Sequence, residues 1–430
     1  MAEPIAPISP PGVGPSRPGP AEDPEHARGG WRDLLHNSQF LLMESSATLA
    51  GAGYAVYSVS VLFLAYGLSG NLLIAGAVLF IEYGVYSATF LVAPLVDRAR
   101  DKRNILLVCY PIQAAAAAAL ALGLHTGMLS VPLLLGLVLV LALGWDFVWA
   151  VFNIAPRIVL PKRQLFVGSG FASIVAVGSQ VGGYASGGAL LYFIGPVGGA
   201  TAYVVLLCGA LIVSLPLSLP VVNPPATALW ETFRRGWNLF RGAMGRTLRN
   251  LAALEILMGF FGGVPALLIT AIAYQRFPHP ASVYGALVTA FALGGSVAGI
   301  GIGHLNPRRS VGLLLVVGPV LGGLCMAALA PLSVSVLVIA GLLAGVGASS
   351  SVRWSAKDSW LQGTYPPEIL GRLTSNLYLF TGVAGSVAVI LVGVLSQTVP
   401  LRVLELFDGA GLVAAGLLAV ASPSVRRMAF

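Results

Sequence analysis

The sequence S130-VPLLLGLVLVLALGWDFVWAVFNI-A155 contains one charged residue, Asp146, in 26 positions. A helix that crosses a bilayer core of about 30 Å needs roughly 20 mostly apolar residues, so this stretch is long enough to span a membrane. The rest of the chain resembles it, since 57% of all residues are hydrophobic and 9% are charged. Soluble domains carry roughly 25% charged residues. The sequence therefore predicts an integral membrane protein.

Twelve apolar stretches of this kind follow one another and predict twelve transmembrane helices, which we call spans 1 to 12. They are residues 39–67, 71–96, 104–126, 130–155, 165–193, 197–221, 250–275, 281–303, 310–331, 333–357, 373–396 and 400–421. The predicted fold class is all-α, a polytopic membrane protein in the lipid bilayer.

The basic residues are distributed unevenly between the two sides of these spans. Of the 24 Lys and Arg residues, 22 lie in the segments on one side, and Arg276 and Arg402 lie on the other. By the positive-inside rule the basic side is cytoplasmic. We therefore expect a cell inner membrane protein with both termini in the cytoplasm, and we attribute the net charge of +8 to topology, not to nucleic-acid binding.

Two loops recur at one offset and indicate an internal duplication. Asp101–Asn104 matches Pro307–Ser310 and Pro161–Ser169 matches Pro367–Ser375, each 206 positions later. The predicted architecture is therefore two six-helix pseudo-repeats, 39–221 and 250–422. Residues 1–38 form a disordered cytoplasmic tail, 423–430 a cytoplasmic tail, and 222–249 a cytoplasmic linker. The linker is either an interfacial helix, because its aromatic and basic residues recur at helical spacing, or a simple connector.

The loop A93-PLVDRARDKRN-I105 resembles the signature loop between helices two and three of the major facilitator superfamily, although Ala93, Arg100 and Asp101 depart from its pattern. The resemblance implies alternating access around a cavity lined by spans 1, 4, 7 and 10. It also implies a conformational latch, formed by Asp97, Arg98, Lys102 and Arg103 through charge-assisted pairs. Alternatively these charges only set the topology.

A finer resemblance is to the multidrug and siderophore exporter branch, the drug:proton antiporters. It is carried by Arg157-Ile158-Val159-Leu160-Pro161 and by the glycines of span 5, where the proline of the branch's motif is missing. Small residues allow close helix approach, so we predict a packing face for a moving neighbour. Its members are Gly178, Gly182, Gly183 and Gly187. Tight packing without motion is the alternative.

Ionisable residues inside spans are costly and mark function by default. Spans 1, 4 and 7 carry Glu44, Asp146 and Glu255, which are the proton-coupling candidates. Because Asp146 and Arg353 occupy nearly equivalent repeat positions, we expect them to pair across the cavity. Burial of a carboxyl group favours its neutral form and a nearby Arg opposes this, so movement of Arg353 would release a proton. Alternatively, Glu44 and Glu255 lie shallowly enough to reach interfacial water.

The predicted substrate is a hydrophobic or amphipathic small molecule, exported in exchange for protons by a monomer. The residues expected to bind it are charged or aromatic: Arg353, Lys357, Glu82, Tyr54, Trp145 and Trp149. No phosphate-binding loop is present, so we expect no ATP hydrolysis, and no cofactor, metal or catalytic cluster is predicted because the five His residues are scattered. The alternatives are uptake of an anion through Arg353 and Lys357, a membrane enzyme, or a non-transporting sensor or scaffold.

Overall fold

A computed structural model describes residues 34–161, 164–221, 245–304, 311–331, 335–365, 367–426 and 428. Three features of the sequence prediction lie outside these residues: the tail up to residue 33, the linker segment 222–244, and the basic loop 305–310. The described part of the chain contains helices and no strands.

The helices of the first half, spans 1 to 6, follow the predicted spans closely. In lipid, the backbone N–H and C=O groups of an apolar segment of this length find hydrogen-bond partners within the segment only if it is helical. Their bounds are Ser38–Ser69, Leu72–Ser87 with Thr89–Arg98, Lys102–His125, Val131–Val159, Leu165–Phe193 and Pro196–Ser214.

The second half, spans 7 to 12, has the same number of spans. Their bounds are Gly245–Gly262 with Pro265–Arg276, Pro280–His304, Val311–Ala328, Val336–Thr364, Pro367–Leu395 and Leu401–Ala421, and a short helix Pro423–Arg426 follows. Within the described residues, eleven helices are long and apolar enough to cross a membrane, and the bent pair Leu72–Ser87 and Thr89–Arg98 makes a twelfth. The predicted all-α polytopic fold is confirmed.

Span 2 bends by 48° between its two segments. The hydroxyl groups on either side of the break bond to carbonyls of the preceding turn: Ser87 Oγ donates to Gly84 O over 2.7 Å and Thr89 Oγ1 to Tyr86 O over 2.6 Å. Hydroxyls that bond back in this way compete with the helix ladder and bend helices. The bend directs Thr89 toward span 4.

The two halves contact each other where span 2 meets span 11 and where span 5 meets span 8. The second contact depends on glycine. A Cβ added at Gly188 would lie 2.5 Å from the Cα of Gly285, so only residues without side chains allow this approach. Inside the first half, Gly183 and Gly187 pack against the backbone of span 1 at Ala52 and Val56.

Of the four glycines predicted to form a packing face on span 5, Gly183 and Gly187 make close contacts, as does Gly188. No described atom of a neighbour lies within 4 Å of a Cβ built on Gly178 or Gly182. Glycines one turn apart define a stripe, but the sequence does not say which stripe of the helix meets a neighbour.

We expect Gly188→Ala to destabilise the protein and Gly182→Ala, on the same helix, to leave it unchanged or slightly more stable. The added methyl group at position 188 overpacks the contact with Gly285, which typically costs about 1–3 kcal/mol. At position 182 the better helix propensity of Ala is the only expected effect. Thermal unfolding of the two purified variants in detergent measures the difference, and equal melting temperatures would contradict the assigned contact.

Candidate functional site

A cavity of about 830 Å³ lies between the two halves. Its lining reaches Ala93, Asn153 and Gln362, which belong to the last two turns of their helices at the end of the bundle that carries the loop Ala99–Asp101. We call this the basic end, after Arg98, Arg100, Lys102 and Arg103. The cavity opens toward it.

Aromatic side chains from both halves meet at the opposite end of the bundle. Tyr274 of span 7 donates its hydroxyl proton to Phe63 O of span 1 over 2.8 Å. The Tyr274 ring also lies 4.5 Å from the rings of Phe63 and of Tyr66, centroid to centroid. These contacts join the two halves at the end opposite the basic end.

The wall from the first half is aromatic and acidic. Tyr54 stacks on Trp145 with ring centroids 4.4 Å apart and planes 7° from parallel, and Trp149 lies one turn further along span 4, its ring 6.1 Å from that of Trp145. Asp146 is 3% exposed and lines the same cavity. Thr89 donates a hydrogen bond of 2.7 Å to its Oδ1, whereas Oδ2 has no hydrogen-bond partner among the described residues.

Glu82 also lines this wall, half-buried, from the first segment of span 2. Its Oε1 atom is buried and lacks a hydrogen-bond partner within the described parts of the chain. Next to it in sequence, Tyr83 donates to Gly263 O of span 7 over 3.1 Å, which links the two halves. The first half thus presents two carboxyl groups to the cavity, each with one unsatisfied oxygen.

The wall from the second half contains a buried ion-pair network. Arg353 of span 10 donates to Glu255 Oε1 of span 7 over 2.6 Å. Glu255 Oε2 accepts from Thr381 Oγ1 at 2.9 Å and lies 3.4 Å from Lys357 Nζ. The Lys357 ammonium group lies 3.5 Å from the centroid of the Trp354 ring, a cation–π contact. Each charge in this network has a partner.

The structure places the predicted charges differently from expectation in three respects. Arg353 pairs with Glu255 of its own half and not with Asp146. Glu255 is ten residues inside its helix, because span 7 begins at Gly245, and it is fully buried, not shallow. Glu44, Glu255 and Lys357 lie outside the cavity lining, which contains Glu82, Asp146 and Arg353, together with the aromatic candidates Tyr54, Trp145 and Trp149.

A profile of the transmembrane secretion effector family, MFS_3, matches residues 88–428. The chain belongs to this family. It is a transporter of the major facilitator type, as the loop resemblance implied. No curated protein sequence matches the chain.

Solved structures of other major facilitator transporters share the fold. A mutant of the nucleoside transporter NupG superimposes with a TM-score of 0.71 at 12% identity, covering 89% of this chain and 99% of that one. A POT family transporter in complex with a thioalcohol conjugated peptide gives 0.72 at 12%, covering 90% and 96%. The POT family transporter PepTSo gives 0.70 at 13%, covering 90% and 97%. At such identities the likeness shows the fold alone.

In this transmembrane secretion effector family member, the loop expected to act as a latch contacts its own half. Arg103 donates to the carbonyl groups of Ser214, over 3.5 Å, and Leu215, which end span 6. Lys102 is buried and donates to Ala99 O over 3.2 Å, while Asp97 is exposed. Basic groups at a helix C-terminus complement its partial negative charge. A latch between the halves through Asp97 and Arg98 stays a prediction for the state that is closed at the basic end.

Several residues of the site carry no recognisable signal in the sequence. Thr89 and Thr381 are ordinary membrane-helix threonines until the fold brings them to Asp146 and Glu255. The Arg353 guanidinium carbon lies 4.7 Å from the centroid of the adjacent Trp354 ring. Neighbouring residues of a helix do not normally face each other, so adjacency in the sequence did not predict this contact. The remaining partners are set by helix packing.

We expect Glu255→Gln to lower the stability of the transporter strongly, because Arg353 and Lys357 keep their charges and lose their partner. Removing one member of a buried ion pair typically costs about 3–5 kcal/mol. The double variant Glu255→Gln/Arg353→Gln removes one of these charges and should recover part of the loss. Thermal unfolding in detergent measures both, and a single variant as stable as the parent would exclude the network as a structural element.

Proposed function

We propose that this protein is a secondary active transporter that exports a hydrophobic or amphipathic small molecule in exchange for protons by alternating access. The observation that carries the proposal is the cavity itself, which lies between the two halves and is lined by aromatic rings and by two carboxyl groups, each with one oxygen that has no partner among the described residues. Apolar walls with a few placed polar groups are typical of small-molecule sites.

The proposed orientation rests on the basic residues. With 22 of 24 Lys and Arg on one side, the basic end faces the cytoplasm of a cell inner membrane and both termini lie there. The cavity then opens to the cytoplasm, where an exporter loads its substrate. The contact of Tyr274 with Phe63 closes the outer side in this state and has to open for release.

Asp146 is the first candidate for the coupling proton. It lines the cavity, and its Oδ2 has no partner in the described structure, so a proton can bind there without displacing a hydrogen bond. Glu255 is held by two cations and a hydroxyl group, an arrangement that maintains the carboxylate. Glu44 is 7% exposed near the start of span 1 and lies outside the cavity lining, so it ranks after Asp146 as a coupling candidate.

Uptake of an anion is the second candidate function. Arg353 lines the cavity and would attract an anionic group. However, Arg353 is ion-paired with Glu255, and Lys357 is fully buried behind the wall. The related folds belong to nucleoside and peptide transporters, whose substrates differ in chemistry, so they do not select a substrate for this chain. The geometry favours export of a compound without a negative charge.

We expect Asp146→Asn to abolish or strongly reduce transport driven by an imposed pH gradient in proteoliposomes. The amide group keeps the size of the side chain and its hydrogen bond with Thr89 but cannot exchange a proton. Downhill movement of the same compound without a gradient should persist.

The matched control is Asp101→Asn, which removes a carboxyl group outside the cavity. Asp101 caps span 3 by accepting a hydrogen bond from Arg103 N, and Asn caps helices equally well. Proton-driven transport by this control should equal that of the parent. If Asp146→Asn also retained full proton coupling, Asp146 would be removed from the mechanism.

The direction of transport is tested in cells with and without the protein, using a panel of labelled amphipathic compounds. Export predicts that deletion raises the intracellular retention of the substrate, and that an uncoupler of the proton gradient has the same effect on the parent cells. Lower retention after deletion would instead establish uptake.

A further inference from the structure

The Glu82 carboxyl group lies among tyrosines. Tyr54, Tyr83 and Tyr184 line the cavity together with Glu82. Tyr57, Tyr203 and Tyr284 are not part of the lining but are close enough to interact electrostatically with Glu82. Aromatic rings present a negative face, so tyrosines on the cavity wall beside a carboxyl group suit a cation better than an anion.

Two polar groups in this setting are unsatisfied. Glu82 Oε1 and the Tyr57 hydroxyl oxygen are both buried without a hydrogen-bond partner in the described part of the protein. Buried polar groups nearly always have partners, and each exception calls for a ligand or an ion as one explanation. Glu82 lines the cavity, whereas Tyr57 is buried and is not part of the lining. The missing partner at Glu82 is therefore the one next to the cavity.

A second observation on the same wall also indicates a cation. Asp146 is 3% exposed, and its Oδ2 lacks a partner among described atoms. On the facing wall Arg353 is neutralised by Glu255 at 2.6 Å. When Glu82 and Asp146 are ionised, the uncompensated charge on the cavity surface is therefore negative.

We propose that the transported molecule is a lipophilic organic cation, whose charge is held by Glu82 on the cavity wall and whose apolar body lies against the stacked rings of Tyr54 and Trp145. The inference rests on the proposed function and names its substrate class. The bound cation and a proton compete for the acidic wall, so each favours release of the other, which is the relation that an antiporter requires.

Two ions of nearly the same size and shape and of opposite charge provide the test. Binding of tetraphenylphosphonium and of tetraphenylborate is measured with the purified full-length protein in detergent, by quenching of tryptophan fluorescence and by equilibrium dialysis. We expect tetraphenylphosphonium to bind at least about tenfold more tightly, which corresponds to one charge-assisted contact. Because this probe has no titratable group, its binding should tighten as pH rises and protons leave the acidic wall.

Variants of Glu82 separate charge from shape. Glu82→Gln should weaken tetraphenylphosphonium binding at least about tenfold and flatten its pH dependence, whereas Glu82→Asp should restore part of both. Asp101→Asn, which removes a carboxyl group outside the cavity, should bind like the parent. Melting temperatures close to the parent value establish that the variants are folded.

Equal binding of the two ions, or tighter binding of tetraphenylborate, would overturn the inference and point to Arg353 as the recognising group. Unchanged tetraphenylphosphonium binding in folded Glu82→Gln would overturn it as well. Failure of this inference can be told apart from failure of the proposed function. If the protein exports neutral compounds in a proton-driven reaction that depends on Asp146, the proposed function holds and the substrate class is wrong. If it binds the cation tightly but shows no proton-driven flux, the substrate class holds and the proposed function is wrong.

Discussion

A charged side chain inside a bilayer has to find a partner within the protein, and this constraint organises both walls of the cavity. On the cavity wall of the second half every charge has a partner, because Glu255 receives Arg353, Lys357 and Thr381. On the wall of the first half Glu82 and Asp146 each keep one oxygen without a partner among the described residues. Asp408 of span 12, outside the cavity lining, lacks a described partner for both of its oxygens. A complete network is stable in one charge state, whereas an incomplete one is poised to accept a proton or a ligand. Under the proposed function, the two halves therefore have different tasks.

The contacts between the halves on the outer side differ from the ion-pair network of Glu255, because they contain no ion pair among the described residues. Tyr274 and Phe63 meet through stacked rings and one neutral hydrogen bond, and Gly188 meets Gly285 through backbone atoms. A neutral hydrogen bond contributes about 1 kcal/mol net. Such contacts separate without leaving a charge buried and unpaired, so the closed end can open at modest cost. Ion pairs are used where the structure must remain fixed.

The Arg276–Glu405 pair illustrates that second use. Arg276 ends span 7 and donates to both carboxylate oxygens of Glu405 in span 12, at 2.6 and 2.7 Å, and to Leu329 O after span 9. All three elements belong to the second half. The pair fixes the outer end of span 7 to its own half, so Tyr274, two residues earlier, moves with that half when the halves separate.

The fold could be predicted from the sequence because hydrophobic length and basic loops act span by span and need no knowledge of packing. Most helix bounds agree with the predicted ones within a few residues for this reason. Span 6 ends earlier than predicted, at Ser214, span 10 extends further, to Thr364, and span 11 begins earlier, at Pro367. Span 7 also begins earlier, so Glu255 is deeper than expected. The site could be predicted only as a set of residue types. Asp146 and Arg353 occupy nearly equivalent positions in the two repeats, so the sequence predicted similar depths for them. Which residue a charged side chain pairs with depends in addition on the face of the helix that carries it, and the repeat does not define this. The same limit applies to Gly178 and Gly182, whose spacing predicts a stripe of small residues but not whether that stripe contacts another helix.

The bend in span 2 connects the chemistry of the cavity to the movement of the halves. Thr89 follows the break, bonds back to Tyr86, and donates to Asp146. The segment that begins at Thr89 packs against span 11 and ends at Arg98, next to the basic loop. A single hydroxyl proton serves both acceptors, so a change in the charge of Asp146 alters which of them holds it. A stronger bond to Asp146 weakens the bond that maintains the bend. Through this shared hydrogen bond, the proposed coupling proton can act on the helix segment that contacts the other half.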